Sequence, residues 1–328
     1  MIAVVTGASG FIGANLVSAL VADGVEVRLV RRGGVAVAPP PPRTTAYTLD
    51  LGAADAVQSP VWRGATHVFH LAARTRAVHP DAFVTDNVRP TAALCALLAQ
   101  LPSTPRLVFV SSQAAAGPAP SSTHPLTDAD VARPVEAYGR SKHDAEEAVR
   151  AHRAAFPAVI LRPSSVYGPR DRDFLQVFQQ LRRAVALAAV PAWHQLSLAH
   201  VHDVVAALRL TATHADAVGR SFFVEDGAPT TWGAVYDEIG AVLGRSPFRL
   251  RVPRAALMAA AAASEVIARV RGTDPLLTRA KLTLSDHPYW LCDASGLRES
   301  LGWRPTIARS DGWALTYDWY REAQWIRS

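Results

Sequence analysis

Residues 4–13 have the sequence VVTGASGFIG, and this stretch decides the fold of the chain. The apolar run over residues 2–5 is typical of a strand that is buried on both faces in a parallel sheet. Three glycines follow at a spacing of three, at Gly7, Gly10 and Gly13. Apolar residues then recur at helical spacing from Phe11 to Leu20, which predicts a helix that begins inside the glycine run.

A strand, a glycine turn and a helix N-terminus together form a site suited to phosphate. Glycine allows a tight turn and lets backbone N–H groups approach an anion, and the helix N-terminus adds unpaired N–H groups and the positive end of a dipole. The pattern here is G-x-x-G-x-x-G, which differs from the usual dinucleotide fingerprint G-x-G-x-x-G. A turn that binds nothing is the alternative, but the strand-to-helix context favours a phosphate site.

Strands and helices alternate over the first half of the chain. Strands are predicted at residues 25–30, 47–51, 66–71, 106–112 and 159–161, and helices at 87–101 and from 138 to about 155. This alternation predicts an α/β fold with a Rossmann-type doubly wound parallel sheet. The pattern changes after Gly168-Pro169, so we predict a dinucleotide-binding domain over 1–168, to which residues 200–225 return, and a smaller, mostly helical C-terminal substrate-binding lobe over 169–328.

Composition narrows the class of protein. The chain has 328 residues, 49% of them hydrophobic and 19% charged, as expected of a globular protein. The net charge is +6, but no run of five like charges occurs, so we expect no nucleic-acid partner. Cys95 and Cys292 lie far apart, which indicates free thiols and a cytoplasmic location. The first strand leaves no room for a signal peptide, and the longest apolar segment, 255–263, is too short to span a bilayer.

The end of the second predicted strand bears on the choice of cofactor. An acidic residue at this position binds the ribose hydroxyls of NAD, whereas an arginine accommodates the 2′-phosphate of NADP. Arg31 occupies the position. The sequence therefore predicts a preference for NADP(H), with NAD(H) as the alternative if Arg31 only faces solvent.

Tyr138 and Lys142 stand at positions i and i+4 of a predicted helix and so share one face. A carbonyl that is reduced by hydride needs a proton on its oxygen, and a phenol with the ordinary pKa of about 10 is a poor partner near neutral pH. A lysine ammonium one turn away favours the phenolate and lowers that pKa. Ser112, at the end of a predicted strand, adds a hydroxyl that can donate to the reacting oxygen. An ordinary helix pair is the alternative.

A metal site is not expected. His200 and His202 alternate along a predicted strand and would share a face, but no carboxylate or cysteine cluster completes a ligand set. Asp203 is expected to cap the helix that follows.

Six motifs occur in an order seen in one family: residues 6–13, Asp50-Leu51, His70-Leu71-Ala72-Ala73, Ser111-Ser112, Tyr138-x-x-x-Lys142 and Arg162-Pro163-x-x-Val166-Tyr167-Gly168-Pro169. The chain resembles the extended short-chain dehydrogenases/reductases, also called the NAD-dependent epimerase/dehydratase family. Two later segments, His200–Val204 and Gly302–Pro305, extend this resemblance over nearly the full length.

The resemblance implies a role for each matching residue. Tyr138 would be the catalytic acid/base, Lys142 its partner and ribose anchor, and Ser112 the hydroxyl that holds the reacting oxygen. The implied cofactor site consists of Gly7, Gly10, Phe11, Ile12, Gly13, Arg31, Asp50, Leu51, Leu71, Ala72, Ala73, Asn87, Tyr138, Lys142, Pro163, Ser165 and Val166. The family often has a tyrosine before the glycine that follows the serines, and Ala115-Ala116-Gly117 stands here instead, which puts a substrate contact in doubt. A homodimer is also implied.

The favoured function is an NADP(H)-dependent oxidoreductase that interconverts a small, apolar carbonyl compound and its alcohol. The apolar run 187–193 and the alanine-rich segment after Pro253 are candidate pocket walls, and the latter is similar to the 3β-hydroxysteroid dehydrogenase and dihydroflavonol reductase branch. Arg249, Arg251 and Arg254 could instead hold a diphosphate, so a nucleotide-sugar epimerase or dehydratase stays open. A cofactor-binding regulator without catalysis is a third alternative, against which the intact Ser112, Tyr138 and Lys142 argue.

Overall fold

The computed structural model describes residues 1–33, 42–77, 79–183, 185–188, 190–246, 248–271 and 278–326. The strands are β1 (Ile2–Thr6), β2 (Glu26–Arg31), β3 (Thr44–Thr48), β4 (His67–His70), β5 (Arg106–Val110), β6 (Ala158–Pro163), β7 (Ser165–Tyr167), β8 (Val185–Ala188), β9 (Gln195–Leu196), β10 (Leu198–His200), β11 (Ser221–Val224), β12 (Thr230–Thr231), β13 (Phe248–Arg251) and β14 (Tyr289–Trp290). The helices are α1 (Phe11–Ala22), α2 (Asp81–Phe83), α3 (Arg89–Leu98), α4 (Gln113–Ala116), α5 (Ala137–Ala151), α6 (Asp173–Leu181), α7 (Val201–Thr213), α8 (Trp232–Val242), α9 (Arg254–Arg271), α10 (Arg279–Leu284), α11 (Ser295–Leu301) and α12 (Arg309–Glu322). A π-helical turn, Val84–Val88, joins α2 to α3.

Seven parallel strands form the central sheet, in the spatial order β11-β6-β5-β4-β1-β2-β3. The order reverses between β1 and β4, which creates a crevice at the carboxyl ends of these two strands. Ligands of open α/β sheets bind in such a crevice. The predicted Rossmann-type doubly wound sheet is confirmed.

Apolar side chains cover both faces of this sheet. On one face α1, α7 and α11 pack through side chains such as Leu16, Leu20, Val204, Leu208 and Leu297. On the other face α3 and α5 pack through Leu94, Leu98, Ala145 and Val149. Because both faces are covered, the strands are nearly continuous apolar runs, and four of the five residues of β1 are buried.

The C-terminal part of the chain is built around three helices, α6, α8 and α12. Phe178, Trp313 and Tyr320 are fully buried at their centre, so the aromatic side chains of the terminal helix belong to an apolar core. Three small sheets, β12-β9-β14, β13-β8 and β10-β7, connect this part to the rest. β11 joins the central sheet beside β6, and α7 packs on α1. The domain boundary at residue 168 stays a prediction.

Three local predictions were wrong. The third strand ends at Thr48 rather than at Leu51, because its register on β2 pairs Thr44 to Thr48 with Val27 to Arg31. The helical pattern of residues 170–189 predicts one helix, but that helix stops at Leu181 and residues 185–188 form β8, since pairing with β13 outweighs local helix propensity.

The predicted cap of α7 was also wrong. The helix begins at Val201, so the Nδ1 atom of His200 accepts from the backbone N–H of His202 as the cap. Asp203 instead accepts hydrogen bonds from the backbone N–H and the hydroxyl of Thr306, both at 2.8 Å.

Some residues named in the sequence predictions cannot be placed. Ala189 and the side chains of Leu187, Arg249 and Arg251 lie outside the described residues.

Candidate functional site

The glycine turn lies where β1 and β4 separate. Gly7 has a φ of +71°, and a Cβ atom added to it would lie 2.5 Å from the backbone nitrogen of Ala72. A Cβ atom on Gly13 would collide with the carbonyl oxygen of Gly7. These two positions therefore require glycine. The backbone of the glycine turn is in direct contact with the first turn of α1 and with the segment after β4, which leaves no room for a side chain.

The N-terminus of α1 has the features of an anion site. Gly10 is the N-cap residue, no side chain caps the helix, and no acidic residue lies in the first turn. The N–H groups of the first turn have no partner within the helix. Phe11 and Ile12 therefore present backbone donors at the positive end of the helix dipole, which fits the diphosphate of a dinucleotide cofactor.

The end of β4 is held against this turn by a buried chain of hydrogen bonds. The Thr6 hydroxyl shares a hydrogen bond with Nδ1 of His70 at 2.7 Å, and Nε2 of His70 shares one with Thr91 at 3.0 Å. The backbone N–H of Ala72 donates to the same Thr6 oxygen at 3.2 Å. Burial, with a smaller effect of the charge on Lys142, lowers the pKa of His70 to about 3. His70 is thus a neutral structural residue.

Asn87 joins the segment after β4 to helix α5. Its side-chain oxygen accepts from the backbone N–H of Arg74 at 2.7 Å, and its amide nitrogen donates to the carbonyl of Arg74 at 3.0 Å and to the hydroxyl of Ser141 at 2.9 Å. Ser141 in turn donates to the carbonyl of Tyr138 at 2.7 Å. A single buried amide therefore fixes the helix that carries Tyr138 relative to the cofactor crevice.

Ser112 and Tyr138 lie close together. The Ser112 hydroxyl acts on the Tyr138 phenol and lowers its pKa, and Ser112 accepts from the backbone N–H of Ala114 at 3.1 Å as the cap of α4. This proximity depends on a close approach of α4 to α5, because a Cβ atom on Gly139 would collide with the carbonyl oxygen of Ala114. Glu136 caps α5 by accepting from the backbone N–H groups of Tyr138 and Gly139.

The environment of Tyr138 keeps its phenol protonated. Burial raises its pKa to about 12, the Ser112 hydroxyl opposes that rise, and the charge of Glu136 adds to it. The phenol therefore keeps its proton near neutral pH.

Lys142 lies one turn further along α5 and is buried. Its Nζ donates to the carbonyl of Val110 at 2.8 Å and lies 4.2 Å from the ring centroid of Phe109. Burial lowers the pKa of Lys142 to about 7, and the charge of Glu146 partly opposes this. The Glu146 carboxylate is bound in two-point fashion by Arg162, at 2.9 and 2.7 Å, so it is not free to pair with Lys142.

Stability should depend on pH through Lys142. Between pH 7 and 10.5 the unfolded chain binds this proton and the folded chain does not, so the free energy of unfolding rises with pH across that window. The variant Lys142→Met lacks this titrating group, so its free energy of unfolding does not rise with pH in this way. We therefore expect the free energy of unfolding of the variant, relative to that of the parent, to be highest near pH 7 and to decline towards pH 10, as measured by urea unfolding. Arg140→Met, an exposed change on the same helix, is the control, and an unchanged pH slope in Lys142→Met would contradict the expectation.

The carboxyl end of β2 carries two arginines. Arg31 is the last residue of the strand, and the next residue, Arg32, pairs with Asp86 at 2.7 Å. Arg74 binds the other oxygen of Asp86 at 2.5 Å. Burial alone would raise the pKa of Asp86, but these hydrogen bonds lower it below its ordinary value. This side of the crevice is therefore positively charged.

The other predicted cofactor residues lie at or just after strand ends. Asp50 follows β3 and accepts from the backbone N–H of Gly52 at 3.0 Å, and Leu51 packs partly on the core. Leu71 and Ala73 follow β4, Pro163 ends β6, and Ser165 and Val166 belong to β7, which pairs with β10. The fold thus brings the predicted residues to one edge of the sheet.

His200 and His202 do not extend to a larger cluster in the described part of the chain. Their ring centroids are 4.8 Å apart. Within the described residues, no group of three or more His, Cys, Asp or Glu side chains could hold a metal ion.

Residues 3–224 match the model of the NAD dependent epimerase/dehydratase family. The chain belongs to this family. Its relatives include a ceramide reductase of Caulobacter vibrioides, 29% identical over 326 residues that make up 98% of this chain and 95% of the relative. Another is the 4-hydroxy-2-methyl-3-oxo-4-farnesyl-3,4-dihydroquinoline-1-oxide ketoreductase of Stigmatella aurantiaca, 34% identical over 242 residues, 69% of this chain and 68% of the relative.

Among solved structures, the UDP-glucose 4-epimerase of Thermotoga maritima with UDP-glucose superposes on this family member with a TM-score of 0.81. The identity is 19%, and the match covers 99% of this chain and all of the epimerase, so it supports the fold. The family and its reductase relatives show that the protein is an NAD(P)-dependent oxidoreductase.

The sequence analysis did not predict several residues that hold the site of this epimerase/dehydratase-family enzyme together. Glu136 could have been found, because an acidic side chain at the start of a helix is stabilised by the unpaired N–H groups and by the positive end of the helix dipole. The hydrogen bonds of His70 with Thr6 and Thr91, and that of Arg74 with Asn87, join residues from different elements and carry no local signal.

Proposed function

We propose that the protein is an NADP(H)-dependent reductase that converts an apolar ketone to its alcohol. The observation that carries the proposal is the proximity of the Ser112 and Tyr138 side chains, beside the buried Lys142, at the carboxyl edge of the sheet. The bound cofactor would supply the hydride for the carbonyl carbon.

The side chains then account for the proton and for the charge on oxygen. Ser112 donates a hydrogen bond to the carbonyl oxygen and orients it. Tyr138 gives its proton to that oxygen as the hydride reaches the carbon, so that the alcohol forms. A pKa above neutral suits this direction, because the phenol holds its proton until the oxygen becomes basic. Lys142, when protonated, stabilises the resulting phenolate.

The same geometry suggests which residues would bind the cofactor. The backbone N–H groups after Gly10 would hold the diphosphate, and Ala72, held against Gly7, would leave room for the cofactor to lie along the crevice. Arg31 would bind the 2′-phosphate of NADP(H). The homodimer implied by the resemblance stays a prediction.

An apolar substrate is supported by the relatives and by the chain. One relative is named for ceramide and another for a farnesyl-bearing ketone, and both are named reductases. Ala115 and Ala116 stand where the family often has a tyrosine, so a polar contact with the substrate from this position is lacking. A nucleotide sugar would instead need arginines paired with a diphosphate.

A ligand panel tests the substrate class. With NADP⁺ present, we expect long-chain ketones and alcohols to raise the melting temperature, and UDP-glucose and GDP-mannose to leave it unchanged, in a thermal-shift assay. Stabilisation by a nucleotide sugar, with none by any apolar ligand, would replace the proposal with an epimerase or dehydratase.

NADPH should bind at least about tenfold more tightly than NADH. A charge-assisted contact contributes roughly 1.5–3 kcal/mol, which corresponds to about tenfold or more in affinity. Arg31→Ala should remove most of the difference by weakening NADPH alone, measured by fluorescence titration of both cofactors. Arg63→Ala, an exposed arginine before the amino end of β4, serves as the control. Equal affinities in the parent protein would refute the preference.

A further inference from the structure

Helix α9 is poorly covered by the rest of the described chain. Of its 18 residues, only Ala261 and Ala268 are buried. After Ala255, its exposed apolar residues are Ala256, Ala259, Ala260, Ala263, Val266, Ile267 and Val270. At about 100° per residue these seven positions fall within an arc of roughly 120°, so they form one continuous stripe along the helix. We call this set the α9 stripe.

The opposite side of α9 packs against neighbouring parts of the chain. Ala261, Ala268 and Glu265 lie there, and Glu265 pairs with Arg279 of α10 at 2.9 Å. Arg254, at the start of α9, pairs with Asp286 in two-point fashion. The helix is thus fixed to its neighbours by one face, and the α9 stripe is turned away from them.

The exposed apolar surface continues into the preceding strand. Phe248 and Leu250 of β13 are 70% and 47% exposed, and alternate residues of a strand share a face. Only residues 252 and 253 separate β13 from α9. Val266, Ile267 and Val270 are 55%, 51% and 82% exposed. Large exposed apolar patches of this kind mark interaction sites.

Positive charge accompanies this surface. Arg271 is exposed at the end of α9 beside the stripe and pairs with no carboxylate among the described residues, whereas Arg269 lies on the side that packs against the neighbouring parts of the chain, where its charge helps to lower the pKa of Glu265. A cleft of about 540 Å³ lies where β8 and β13 begin, and three arginines line it, Arg182, Arg183 and Arg245. These also have no ion-pair partner in the described part of the chain. The two carboxylates next to α9, Glu265 and Asp286, are already paired.

This charge pattern decides between possible occupants. A second copy of the same face would bring further unpaired arginines and no unpaired carboxylate described on α9, so it lacks charge complementarity. An anionic lipid surface supplies both an apolar layer for the stripe and phosphates for the arginines. We propose that α9 and β13 bind the surface of an anionic bilayer, with α9 parallel to it. None of the described helices is long and apolar enough to cross a bilayer, which suits a helix lying in the interface.

Vesicle sedimentation tests the proposal on the full chain, with phosphatidylglycerol–phosphatidylcholine vesicles compared with phosphatidylcholine alone. We expect binding to the anionic vesicles that weakens with added salt. The variant Val266→Glu/Ile267→Glu/Val270→Glu should bind at least about tenfold more weakly. The control Val131→Glu/Val218→Glu/Leu315→Glu places the same charges at three exposed apolar positions elsewhere and should bind like the parent.

Two results would overturn the proposal. One is equal binding of the stripe variant and the parent. The other is no vesicle binding by the parent, and light scattering then shows whether the stripe variant loses a dimer, which would assign the face to a second copy. Vesicle binding rests on this surface and not on the proposed reaction, so the substitution Tyr138→Phe should leave it unchanged. Failure of ketone reduction would therefore be distinguishable from failure of this inference.

Discussion

Replacing Tyr138 by phenylalanine should lower kcat for ketone reduction by about 10²–10⁴-fold, the range that general acid–base catalysis contributes. The change removes the proton donor and its interaction with Ser112, and it leaves the packing around the ring in place. Ser112 still accepts from Ala114, Glu136 still caps α5, and the ring keeps its edge contact with Phe83, whose centroid lies 6.0 Å away. Cofactor affinity and folding should therefore stay close to those of the parent.

The controls separate chemistry from structure. Tyr317→Phe removes the hydroxyl of a partly buried tyrosine in the C-terminal core and should leave kcat unchanged. Ser112→Ala should also lower kcat, and the double variant should be little worse than Tyr138→Phe alone, because the two hydroxyls act on one oxygen. Near-parental kcat in Tyr138→Phe would remove this residue from the proton transfer.

Gly7→Ala should abolish cofactor binding under ordinary assay conditions. The new Cβ would lie 2.5 Å from the backbone nitrogen of Ala72, so the turn must move away from the end of β4. Displacing two N–H donors from a charged phosphate costs roughly 3–6 kcal/mol, at about 1.5–3 kcal/mol for each hydrogen bond. This corresponds to about 10²–10⁴-fold in affinity, measured by fluorescence titration with NADPH.

Gly24→Ala is the matched control for this substitution. Gly24 has a φ of +75°, close to that of Gly7, but nothing lies within 4 Å of its added Cβ. It should lose about 1–2 kcal/mol of stability from the left-handed backbone alone and bind NADPH normally. If Gly7→Ala behaves like Gly24→Ala in both measurements, the close approach to Ala72 does not shape the cofactor site.

The sequence predicts those parts of the site that are local in the chain. The glycine turn, its helix and the i, i+4 pair of Tyr138 and Lys142 each occupy one short segment, so periodicity and spacing reveal them. The hydrogen bonds of His70 to Thr6 and Thr91 span 64 and 21 residues, and only the assembled sheet brings the partners together. The lowered pKa of Lys142 follows from its burial beside the ring of Phe109. The spacing of Lys142 from Tyr138 in the sequence does not indicate this burial.

Errors of secondary structure have a similar origin. β8 was predicted as helix because Val185–Ala188 follows a helical pattern without a break, and its strand conformation depends on β13, more than 60 residues later in the chain. The alanine-rich pattern predicts a helix over 253–270, within one residue of α9 at each end, but it does not predict the exposure of that helix. The same alanine-rich pattern fits a buried lobe helix, and the sequence alone does not tell which face is covered.

Hydride tracing tests the central claim of net ketone reduction most directly. The enzyme would be incubated with an apolar ketone and NADPH that carries deuterium on the transferable position of carbon 4, with UDP-glucose and NADP⁺ in a parallel reaction. Net reduction predicts an alcohol with one deuterium on the former carbonyl carbon and one NADP⁺ formed for each alcohol. Conversion of UDP-glucose to its epimer with no net reduction of NADP⁺, and no labelled alcohol from any ketone, would contradict it.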